Sequence, residues 1–419
     1  MKKKKKIAVL GLGYVGLPLA VSLSSSFKVI GFDISLNRVS QLIKGIDMTL
    51  EVKKEKLLNS QRKNLSLTQN YKDLSDCNIF IVTVPTPITK NKKPDFRPLI
   101  GVCKTISKIL KEDDTVIFES TVYPGATEEI CAPVLEKNKR SLKSGKNFFL
   151  GYSPERVNPG DKVHTIDKIE KVVAGQNKKV EKLLKEIYSK LTRGKVFVAE
   201  SIKVAEASKV IENSQRDINI AFINEVAKIC SRLNISVYDV LDASSTKWNF
   251  LPFQPGLVGG HCIGVDPYYL SHKSLELKID PKVILSGRQT NDEMPIFIAK
   301  KVDHFLKKKS KILFLGVTFK EDVPDLRNSK SFDVINFLRK KKHKVKLHDP
   351  FVADIDSDTI KFDSSNYKVF DCVILSVPHK FYLKNSDKLT KFLKPNGIFF
   401  DLKGKINFKQ KKDFTYLSL

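Results

Sequence analysis

The segment GGHCIGVDP, residues 259–267, places a cysteine and an acid at a spacing that suits covalent chemistry. Cys262 follows two glycines and a histidine, and Asp266 lies four residues further on. Cys262 has three possible interpretations: a residue of the apolar core, a metal ligand or a nucleophile. Free cysteine is among the most buried residue types, so the core is the default. The six cysteines show no C-x-x-C pair and no Cys/His cluster with zinc spacing, so we expect no metal.

The composition is strongly basic. The chain has 419 residues and a net charge of +28, from 74 Lys and Arg against 46 Asp and Glu. Such a balance raises the hypothesis of a polyanion-binding protein with a nucleic-acid partner. However, the lysines are spread along the whole chain, and no RNP-like, helix-turn-helix or zinc-finger pattern occurs. We therefore expect a small-molecule substrate and no nucleic-acid partner.

The hydropathy pattern gives no sign of a membrane protein. No apolar run approaches the ~20 residues needed to span a bilayer. The start, MKKKKKIAVLG, resembles the basic region of a signal peptide, but no small-residue cleavage site follows. We expect a cytoplasmic protein with reduced thiols and no membrane partner.

A glycine pattern near the start indicates a nucleotide site. Gly11, Gly13 and Gly16 form G-x-G-x-x-G between an apolar strand and a helix, and Asp33 ends the next strand. This context is what a dinucleotide fingerprint requires. The first glycine makes the tight turn, the second admits a pyrophosphate to the helix N-terminus, and the third lets the helix pack closely. Asp33 would accept hydrogen bonds from a ribose diol and repel a 2′-phosphate, which favours NAD over NADP.

The two ends of the chain repeat each other. The matched pairs are 6–34 with 311–350, 76–85 with 371–378, and 114–120 with 396–402. Residues 199–234 instead show apolar residues at helical spacing. This order predicts an α/β fold of two Rossmann-like, doubly wound parallel-sheet domains joined by a helical central domain. The predicted boundaries are 1–197, 198–300 and 301–419.

The second turn differs from the first. Its sequence, GVTFKEDVPDLR, has Lys320 and Arg327 where the first turn has glycines. Cations at that position suit phosphates rather than a dinucleotide laid over a glycine turn; the alternative is two ordinary surface cations. Two nucleotide-type domains around a helical region suggest that one substrate is a nucleotide conjugate.

Six motifs carry a family resemblance. They are, in order, GLGYVGLPLA, ESTVYPG, GYSPERVNPGD, KVIEN, GGHCIGVDPYYL and GVTFKEDVPDLRNS. Together they resemble the nucleotide-sugar 6-dehydrogenases, the UDP-glucose/UDP-mannuronate dehydrogenase family, over essentially the whole chain. The stretch from Lys247 to Leu270 is most similar to the branch that acts on UDP-N-acetylglucosamine or UDP-N-acetylgalactosamine in Vi-polysaccharide and O-antigen biosynthesis. UDP-glucose and UDP-N-acetylmannosamine are the alternative substrates.

The resemblance implies a four-electron oxidation of carbon 6 with two NAD per sugar, and a homodimer formed through the central helices. It assigns the nucleophile to Cys262, which would capture the intermediate aldehyde as a thiohemiacetal and then a thioester. His261 is interpreted as a packing residue. The catalytic candidates are Cys262, Lys209, Asp266, Asn213, Glu155 and Thr121. Without the resemblance, Lys209 would be an ordinary solvent-facing helix lysine.

Binding residues follow from the same motifs. The predicted cofactor contacts are Gly11, Gly13, Tyr14, Val15, Gly16, Asp33, Arg38, Val84, Pro85, Thr86, Ser120, Thr121 and Arg327. The predicted substrate contacts are Glu155, Arg156, Lys209, Asn213, Phe250, Leu251, Gly259, Phe319 and Lys320. Arg288 either meets a sugar or phosphate or forms an exposed salt bridge.

One position departs from the family pattern. Some members place an arginine from the partner subunit ahead of the NFL sequence, where this chain has Lys247 and Trp248. That contact is therefore not carried over. A two-electron dehydrogenase of the β-hydroxyacid type is the alternative enzyme, and it would need neither the cysteine nor a third domain.

Overall fold

The computed structural model describes residues 4–156, 166–192, 195–260, 263–408 and 413–419. His261 and Cys262, the centre of the predicted nucleophile motif, lie outside the described residues. The chain forms two compact units. The first unit contains Met1–Glu212 and Tyr268–Asp280, and the second contains Asn213–Pro267 and Pro281–Leu419.

The first unit is built on a sheet of eight described strands. They are β1 (Lys6–Leu10), β2 (Lys28–Phe32), β3 (Leu65–Thr68), β4 (Ile79–Val82), β5 (Thr115–Phe118), β6 (Phe149–Tyr152), β7 (Lys171–Gly175) and β8 (Val196–Val198). Their order is β3-β2-β1-β4-β5-β6-β7-β8. The strand order reverses between β1 and β4, as in a doubly wound dinucleotide-binding sheet.

The pairing in this sheet is parallel with one exception. In β1, Ile7 lies opposite Val29 of β2 on one side and opposite Ile79 of β4 on the other. β6 and β7 pair antiparallel, which the alternation of strands and helices did not predict. The inner strands β4 and β5 are buried along their whole length. Such continuously apolar strands are typical of a sheet covered on both faces.

Helices connect these strands. In chain order they are α1 (Gly16–Leu23), α2 (Leu36–Ile43), α3 (Lys54–Lys63), α4 (Arg97–Ser107), α5 (Ala132–Leu135) and α6 (Lys178–Ser189). Several begin at a side-chain cap. Asn177 accepts from the Val180 N–H at the start of α6, and Ser35 accepts from the Arg38 N–H at the start of α2. These caps satisfy backbone donors that the first turn of a helix leaves unpaired.

The region predicted to be helical contains two long and two shorter helices among the described residues. They are α7 (Ile202–Leu233), α8 (Val237–Ser244), α9 (Asp266–Glu276) and α10 (Lys282–His304). α7 begins in the first unit and ends in the second, so the middle of the chain contributes residues to both. The boundaries 197 and 300 stay a prediction. No helix in the described part of the chain is both long and apolar enough to cross a membrane.

The second unit contains a sheet of five described strands. They are β9 (Lys311–Leu315), β10 (Lys344–His348), β11 (Phe370–Leu375), β12 (Leu393–Asp401) and β13 (Phe414–Ser418), in the order β10-β9-β11-β12-β13 and all parallel. The connecting helices are α11 (Ser331–Lys340), α12 (Lys380–Lys384) and α13 (Ser386–Leu389). This is the second common doubly wound order, with its reversal between β9 and β11. The prediction of two Rossmann-like domains and a helical middle is confirmed.

Candidate functional site

The glycine turn after β1 has the geometry of a phosphate-binding turn. Gly11 has φ of +99°, where glycine is favoured. A Cβ on Gly16 would lie 1.8 Å from the Gly11 carbonyl oxygen and 2.4 Å from Thr83 Oγ1, so α1 begins close against the turn. A Cβ on exposed Gly13 would meet no heavy atom within 4 Å. The helix N-terminus beside Gly13 is therefore open to an anion.

Asp33 and Arg38 are held on this turn by hydrogen bonds. Asp33 Oδ2 accepts from the Leu12 N–H at 2.8 Å, and its Oδ1 accepts from the Ser35 N–H at 2.9 Å. Arg38 Nε donates to the Leu12 carbonyl, and its Nη2 donates to Asp47 Oδ1, both at 2.9 Å. Arg38 Nη1 is buried with no partner among the residues that the structure describes. The Asp33 carboxylate and the Arg38 guanidinium fit the adenosine end of a dinucleotide.

The loops after β4 and β5 lie at the same edge of the sheet. Val84, Pro85 and Thr86 follow β4, and Ser120 and Thr121 follow β5. Ser120 Oγ donates to the Val84 carbonyl oxygen at 2.6 Å, which ties the two loops together. Ligands of open α/β sheets bind at the carboxyl ends of the strands beside the reversal in strand order. The first loop follows β4, which lies at that reversal, and the second follows the neighbouring strand β5.

A buried ion cluster lies next to these loops. Lys171 on β7 is fully buried, and its Nζ donates to Glu119 Oε2 at 2.8 Å and to Glu155 Oε2 at 2.9 Å. The Tyr188 hydroxyl on α6 donates to the second oxygen of Glu119 at 2.5 Å. Burial raises the pKa of Glu119, while the Lys171 ammonium opposes that rise. Burial disfavours the charge on Lys171, yet the two carboxylates raise its pKa above the usual value.

α7 carries two further buried groups, Glu206 and Lys209, in the first unit. Glu206 Oε2 accepts from the Gly125 N–H at 2.5 Å, and its Oε1 accepts from the Thr127 N–H at 2.9 Å. Burial raises the pKa of Glu206 to about 7, although these hydrogen bonds oppose the rise. Lys209 is 8% exposed, so it is not the solvent-facing lysine that the sequence without the resemblance would suggest.

In the second unit, the acid of the cysteine motif is paired. Asp266 is buried at the start of α9, and its Oδ2 accepts from Asn213 Nδ2 at 2.5 Å. Asn213 lies one turn beyond Lys209 on α7, so both residues share a helix face. The structure therefore brings together Asn213 and Asp266, two of the predicted catalytic residues.

The backbone just before Cys262 packs on the turn after β9. A Cβ on Gly260, where φ is +80°, would lie 2.8 Å from the Phe319 ring. A Cβ on Gly259 would lie 2.6 Å from the Asn328 carbonyl oxygen, and Asn328 Nδ2 donates to the Gly260 carbonyl at 3.2 Å. Only glycines allow this close approach. Phe319, a predicted substrate contact, thus lies against Gly260, the residue that follows the predicted substrate contact Gly259.

The remaining predicted binding residues are half-buried or exposed. Arg327 is exposed and binds Asp325 through Nε and Nη2. Arg156 pairs with Glu212 at 2.8 Å. Phe250 is half-buried, and Leu251 is exposed. Tyr14, Val15 and Lys320 are half-buried in the turns after β1 and β9.

Arg288 forms a buried ion pair with two carboxylates. Its side chain is 2% exposed, and its guanidinium pairs with Asp217 at 2.5 Å and Asp292 at 2.6 Å. The expected exposed salt bridge is wrong, because the pair joins α7 to α10 inside the second unit. With its charge directed at two carboxylates, Arg288 stabilises the helical packing.

A buried polar cluster lies at the strand-order reversal of the second sheet. Asp349 Oδ2 accepts from the Val317 and Thr318 N–H groups and contacts His379 Nε2 at 3.0 Å. The Asp322 N–H donates to His379 Nδ1 at 2.9 Å, so Nε2 carries the proton given to Asp349. Asp349 therefore holds the turn after β9 as Asp33 holds the turn after β1.

Three family models cover nearly all of the chain. All belong to the UDP-glucose/GDP-mannose dehydrogenase family: the NAD binding domain matches residues 5–192, the central domain 203–293 and the UDP binding domain 313–407. The chain belongs to the UDP-glucose/GDP-mannose dehydrogenase family. It is an NAD-dependent nucleotide-sugar dehydrogenase, as the motifs predict.

Relatives and a solved structure agree with this family. The chain is 49% identical to Protein CapL of Staphylococcus aureus, over 96% of both chains. It is 47% identical to the UDP-N-acetyl-D-glucosamine 6-dehydrogenase of Pseudomonas aeruginosa, over 96% of this chain and 97% of the relative. Its fold is similar to that of a UDP-D-ManNAc dehydrogenase from Pyrococcus horikoshii, with a TM-score of 0.87 and 28% identity over 99% and 98% of the two chains.

Sequence reasoning missed several polar residues of this dehydrogenase. They are Asp47, Glu119, Lys171, Tyr188, Glu206, Asp349 and His379. One had a visible signal: Asp349 ends the second strand of the repeated unit, just as Asp33 does in the first. Lys171 resembles the other lysines of a lysine-rich chain, and only its burial between two carboxylates distinguishes it.

Proposed function

We propose that this nucleotide-sugar dehydrogenase oxidises carbon 6 of a UDP-N-acetylhexosamine, UDP-N-acetylglucosamine or UDP-N-acetylgalactosamine, to the uronic acid for surface polysaccharide biosynthesis. The observation that carries the substrate class is the 47% identity, over nearly the full length, to a relative named UDP-N-acetyl-D-glucosamine 6-dehydrogenase. The reaction removes four electrons from a primary alcohol and consumes one water. We expect it to take place in the cytoplasm.

The residues of the first unit fit NAD. The open N-terminus of α1 beside Gly13 would hold the pyrophosphate, and Asp33 would accept the ribose hydroxyls. The predicted loop residues Val84 to Thr86 follow β4, at the reversal in strand order, and Ser120 and Thr121 follow the neighbouring strand β5. Bound NAD supplies the acceptor for the hydride that leaves carbon 6 in each oxidation.

The proposed catalytic residues have three roles: nucleophile, stabilisation of negative charge and proton transfer. The Cys262 thiolate adds to the aldehyde carbonyl and forms a thiohemiacetal; the second oxidation leaves a thioester, and water hydrolyses it to the carboxylate and free thiol. Lys209 and Asn213 are proposed to stabilise the oxyanions. Asp266, fixed by Asn213, and Glu155 are the proposed groups for moving protons.

Several of the proposed substrate-binding residues belong to the second unit. The turn after β9 carries Phe319 and Lys320, and it packs on Gly259 and Gly260. Lys320 is proposed to contact the uridine diphosphate. Arg327, Arg156, Phe250 and Leu251 keep their predicted binding roles as proposals.

A stoichiometric assay tests the function. The protein is incubated with NAD and, separately, UDP-glucose, UDP-N-acetylglucosamine, UDP-N-acetylgalactosamine and UDP-N-acetylmannosamine, and NADH absorbance is followed. We expect two NADH per UDP-N-acetylhexosamine. Cys262→Ser should abolish complete turnover, whereas Cys230→Ser, a matched change of a buried thiol on α7, should retain it. One NADH per sugar, unaffected by Cys262→Ser, would instead identify a two-electron dehydrogenase.

We also infer a homodimer formed through the central helices. Phe222, Ile229 and Leu233 project from one face of α7 and are 63%, 53% and 62% exposed. Exposed apolar side chains at this spacing are typical of a helix that packs against another surface.

A further inference from the structure

Two side chains of opposite charge lie at the proposed adenosine end of the cofactor site in the first unit. Asp33 follows β2, and an acid at this position favours NAD because it binds the ribose diol and repels a 2′-phosphate. Arg38 lies on α2, and an arginine near the ribose is the residue that accommodates the 2′-phosphate of NADP. The two residue types therefore favour different cofactors.

Both side chains are held on the same residue of the glycine turn. Asp33 Oδ2 accepts from the Leu12 N–H at 2.8 Å, and Arg38 Nε donates to the Leu12 carbonyl oxygen at 2.9 Å. Leu12 separates Gly11 from Gly13, which lies beside the open N-terminus of α1. Because both contacts are made with Leu12, the carboxylate and the guanidinium act on the same part of the turn.

Asp47, in the loop after α2, pairs with Arg38. Its Oδ1 accepts from Arg38 Nη2 at 2.9 Å, and the side chains of Asp47 and Arg38 are 1% and 13% exposed. Arg38 Nη1 is buried as well. Since Nε is bound to Leu12 and Nη2 to Asp47, the guanidinium has no pair of adjacent N–H groups left for a bidentate contact with a phosphate.

Asp47 is fixed independently of the arginine. Its Oδ1 also accepts from the Thr49 N–H at 3.0 Å and from Thr49 Oγ1 at 2.7 Å, and its Oδ2 accepts from the Glu51 and Val52 N–H groups, each at 3.0 Å. Burial alone would raise the pKa of this carboxyl, but hydrogen bonds from Thr49, Val52 and Arg38 lower it below the usual value. Asp47 is therefore ionised at neutral pH.

The charges of this group favour a nucleotide without a 2′-phosphate. Two carboxylates, those of Asp33 and Asp47, are set against one guanidinium, so the group as a whole is negative. A phosphate monoester carries about −1.5 to −2 charges at neutral pH. If Asp47 were uncharged, the Arg38 charge would balance that of Asp33, and the repulsion of this phosphate would be lost.

We propose that Asp47 is a positioning residue that fixes and neutralises Arg38, and that this pairing makes the glycine turn reject NADP. Asp33 supplies the repulsion, while Arg38 holds the Leu12 carbonyl in place. This inference rests on the proposed function, since it takes NAD to be bound at this turn. It concerns nucleotide binding alone, so the full-length protein is tested without a UDP-sugar.

Asp47→Asn is the first test. The change removes the negative charge but keeps an oxygen that accepts from Arg38. Isothermal titration calorimetry gives Kd for NAD directly and Kd for NADP by displacement of NAD. We expect the ratio of Kd for NADP to Kd for NAD to fall on the order of tenfold at low salt, because the Arg38 charge is no longer cancelled. The fall should be smaller in about 0.5 M NaCl, which screens the charge.

Arg38→Met makes the opposite change in charge. Asp47 keeps its donors from Thr49, Glu51 and Val52, so its carboxylate stays in place without the guanidinium. We expect the ratio of the two Kd values to rise on the order of tenfold. Arg38→Met combined with Asp47→Asn removes one charge of each sign and should return the ratio to within about threefold of the wild type.

Asp95→Asn is the matched control. Asp95 is also a buried carboxylate paired with an arginine in the first unit, at 2.6 Å from Arg97, but Arg97 is exposed. This variant should leave the ratio of the two Kd values unchanged. Circular dichroism and thermal unfolding report whether each variant folds. If Asp47→Asn does not fold, Arg38→Met decides, because it uncovers the Asp47 charge that Arg38 cancels.

The ratio separates specificity from a merely structural role. Loss of structure at the turn would weaken NAD and NADP alike, so an unchanged ratio in the folded variants would overturn the role of Asp47. A change of the same size in Asp95→Asn would overturn it too. The placement of NAD is checked separately, since Gly13→Ala should raise Kd for NAD. An unchanged Kd in Gly13→Ala would overturn the proposed cofactor site itself, and this inference with it.

Discussion

At the residue scale, the first unit is marked by charged side chains buried with their partners. Lys171 lies between two carboxylates, and Glu206 lies against two backbone N–H groups. Burying a charge costs free energy unless partners compensate, so each group depends on its neighbours. Glu206 lies on α7, three residues before Lys209. It differs from Lys171 because its partners are backbone N–H groups, which belong to the segment that follows Thr121. It couples that segment to the helix that carries the proposed oxyanion-stabilising lysine.

Glu206 predicts a pH dependence of stability. Burial raises its pKa from 4.5 to about 7 in the folded protein. Between these values the folded protein binds a proton that the unfolded chain has released. The free energy of unfolding should therefore fall as pH rises through this window, by up to about 3 kcal/mol.

Urea unfolding at pH 5 and pH 8 checks this prediction. The wild type should lose about 2.5 kcal/mol more between the two pH values than Glu206→Gln, which has no group to titrate at this position. Glu225→Gln, a change at an exposed position of the same helix, should behave as the wild type. Equal pH dependence of the wild type and Glu206→Gln would contradict the assignment.

At the scale of elements, the glycine turn shows that two glycines of one motif do different work. Gly16 is a packing residue, since its missing side chain lets α1 begin against Gly11 and Thr83. Gly13 is exposed and meets nothing, so its missing side chain keeps space for a ligand. The turn after β9 contains a glycine that is required for packing in the same way as Gly16. A Cβ on Gly316 would lie 2.5 Å from the Val377 carbonyl oxygen.

Alanine at these two glycines should separate folding from cofactor binding. Gly16→Ala forces the start of α1 away from the turn and should destabilise the protein by about 3 kcal/mol. Gly13→Ala should change stability by less than about 0.5 kcal/mol but raise KM for NAD roughly tenfold, since a methyl group occupies the approach to the pyrophosphate. Thermal unfolding and NAD titration measure the two effects. A stable Gly16→Ala, or an unchanged KM in Gly13→Ala, would refute the corresponding role.

At the scale of the whole molecule, the two units have sheets of the same doubly wound type but different turns. The first has the open glycine turn, whereas the second has the Asp349 and His379 cluster behind a turn with a lysine. Because one sheet type supports both, the difference in ligand arises from the turns. α7 joins the two units along the chain and carries an exposed apolar face.

That face predicts the oligomeric state. Phe222→Asp combined with Ile229→Asp puts two charges into the proposed interface and should convert the dimer to a monomer in analytical ultracentrifugation. Ile43→Asp, at a 51% exposed position on α2, is the matched control and should remain dimeric. A wild type that sediments as a monomer, or a double variant that stays dimeric, would refute the interface.

Features that depend on short spacing along the chain could be predicted from the amino-acid sequence. The glycine fingerprint and Asp33 are set within one strand–turn–helix–strand unit, and the repeat of that unit at 311–350 predicted the second sheet. The long helical period of 199–234 likewise predicted α7. The motif order indicated the family and the NAD cofactor, which the comparisons confirmed.

Contacts between polar groups that are distant in sequence could not be predicted and are visible only in the folded chain. Lys171 lies 52 residues from Glu119 and 16 from Glu155, and the Asn213–Asp266 pair spans 53 residues. No local period encodes such contacts, because they arise from the order of strands in a sheet and from the ends of long helices. The antiparallel pairing of β6 and β7 and the burial of Arg288 belong to the same class. Residue type and spacing fixed the local turns and helices, whereas burial and pairing, which set the charge and direction of each acid, exist only once the chain has folded.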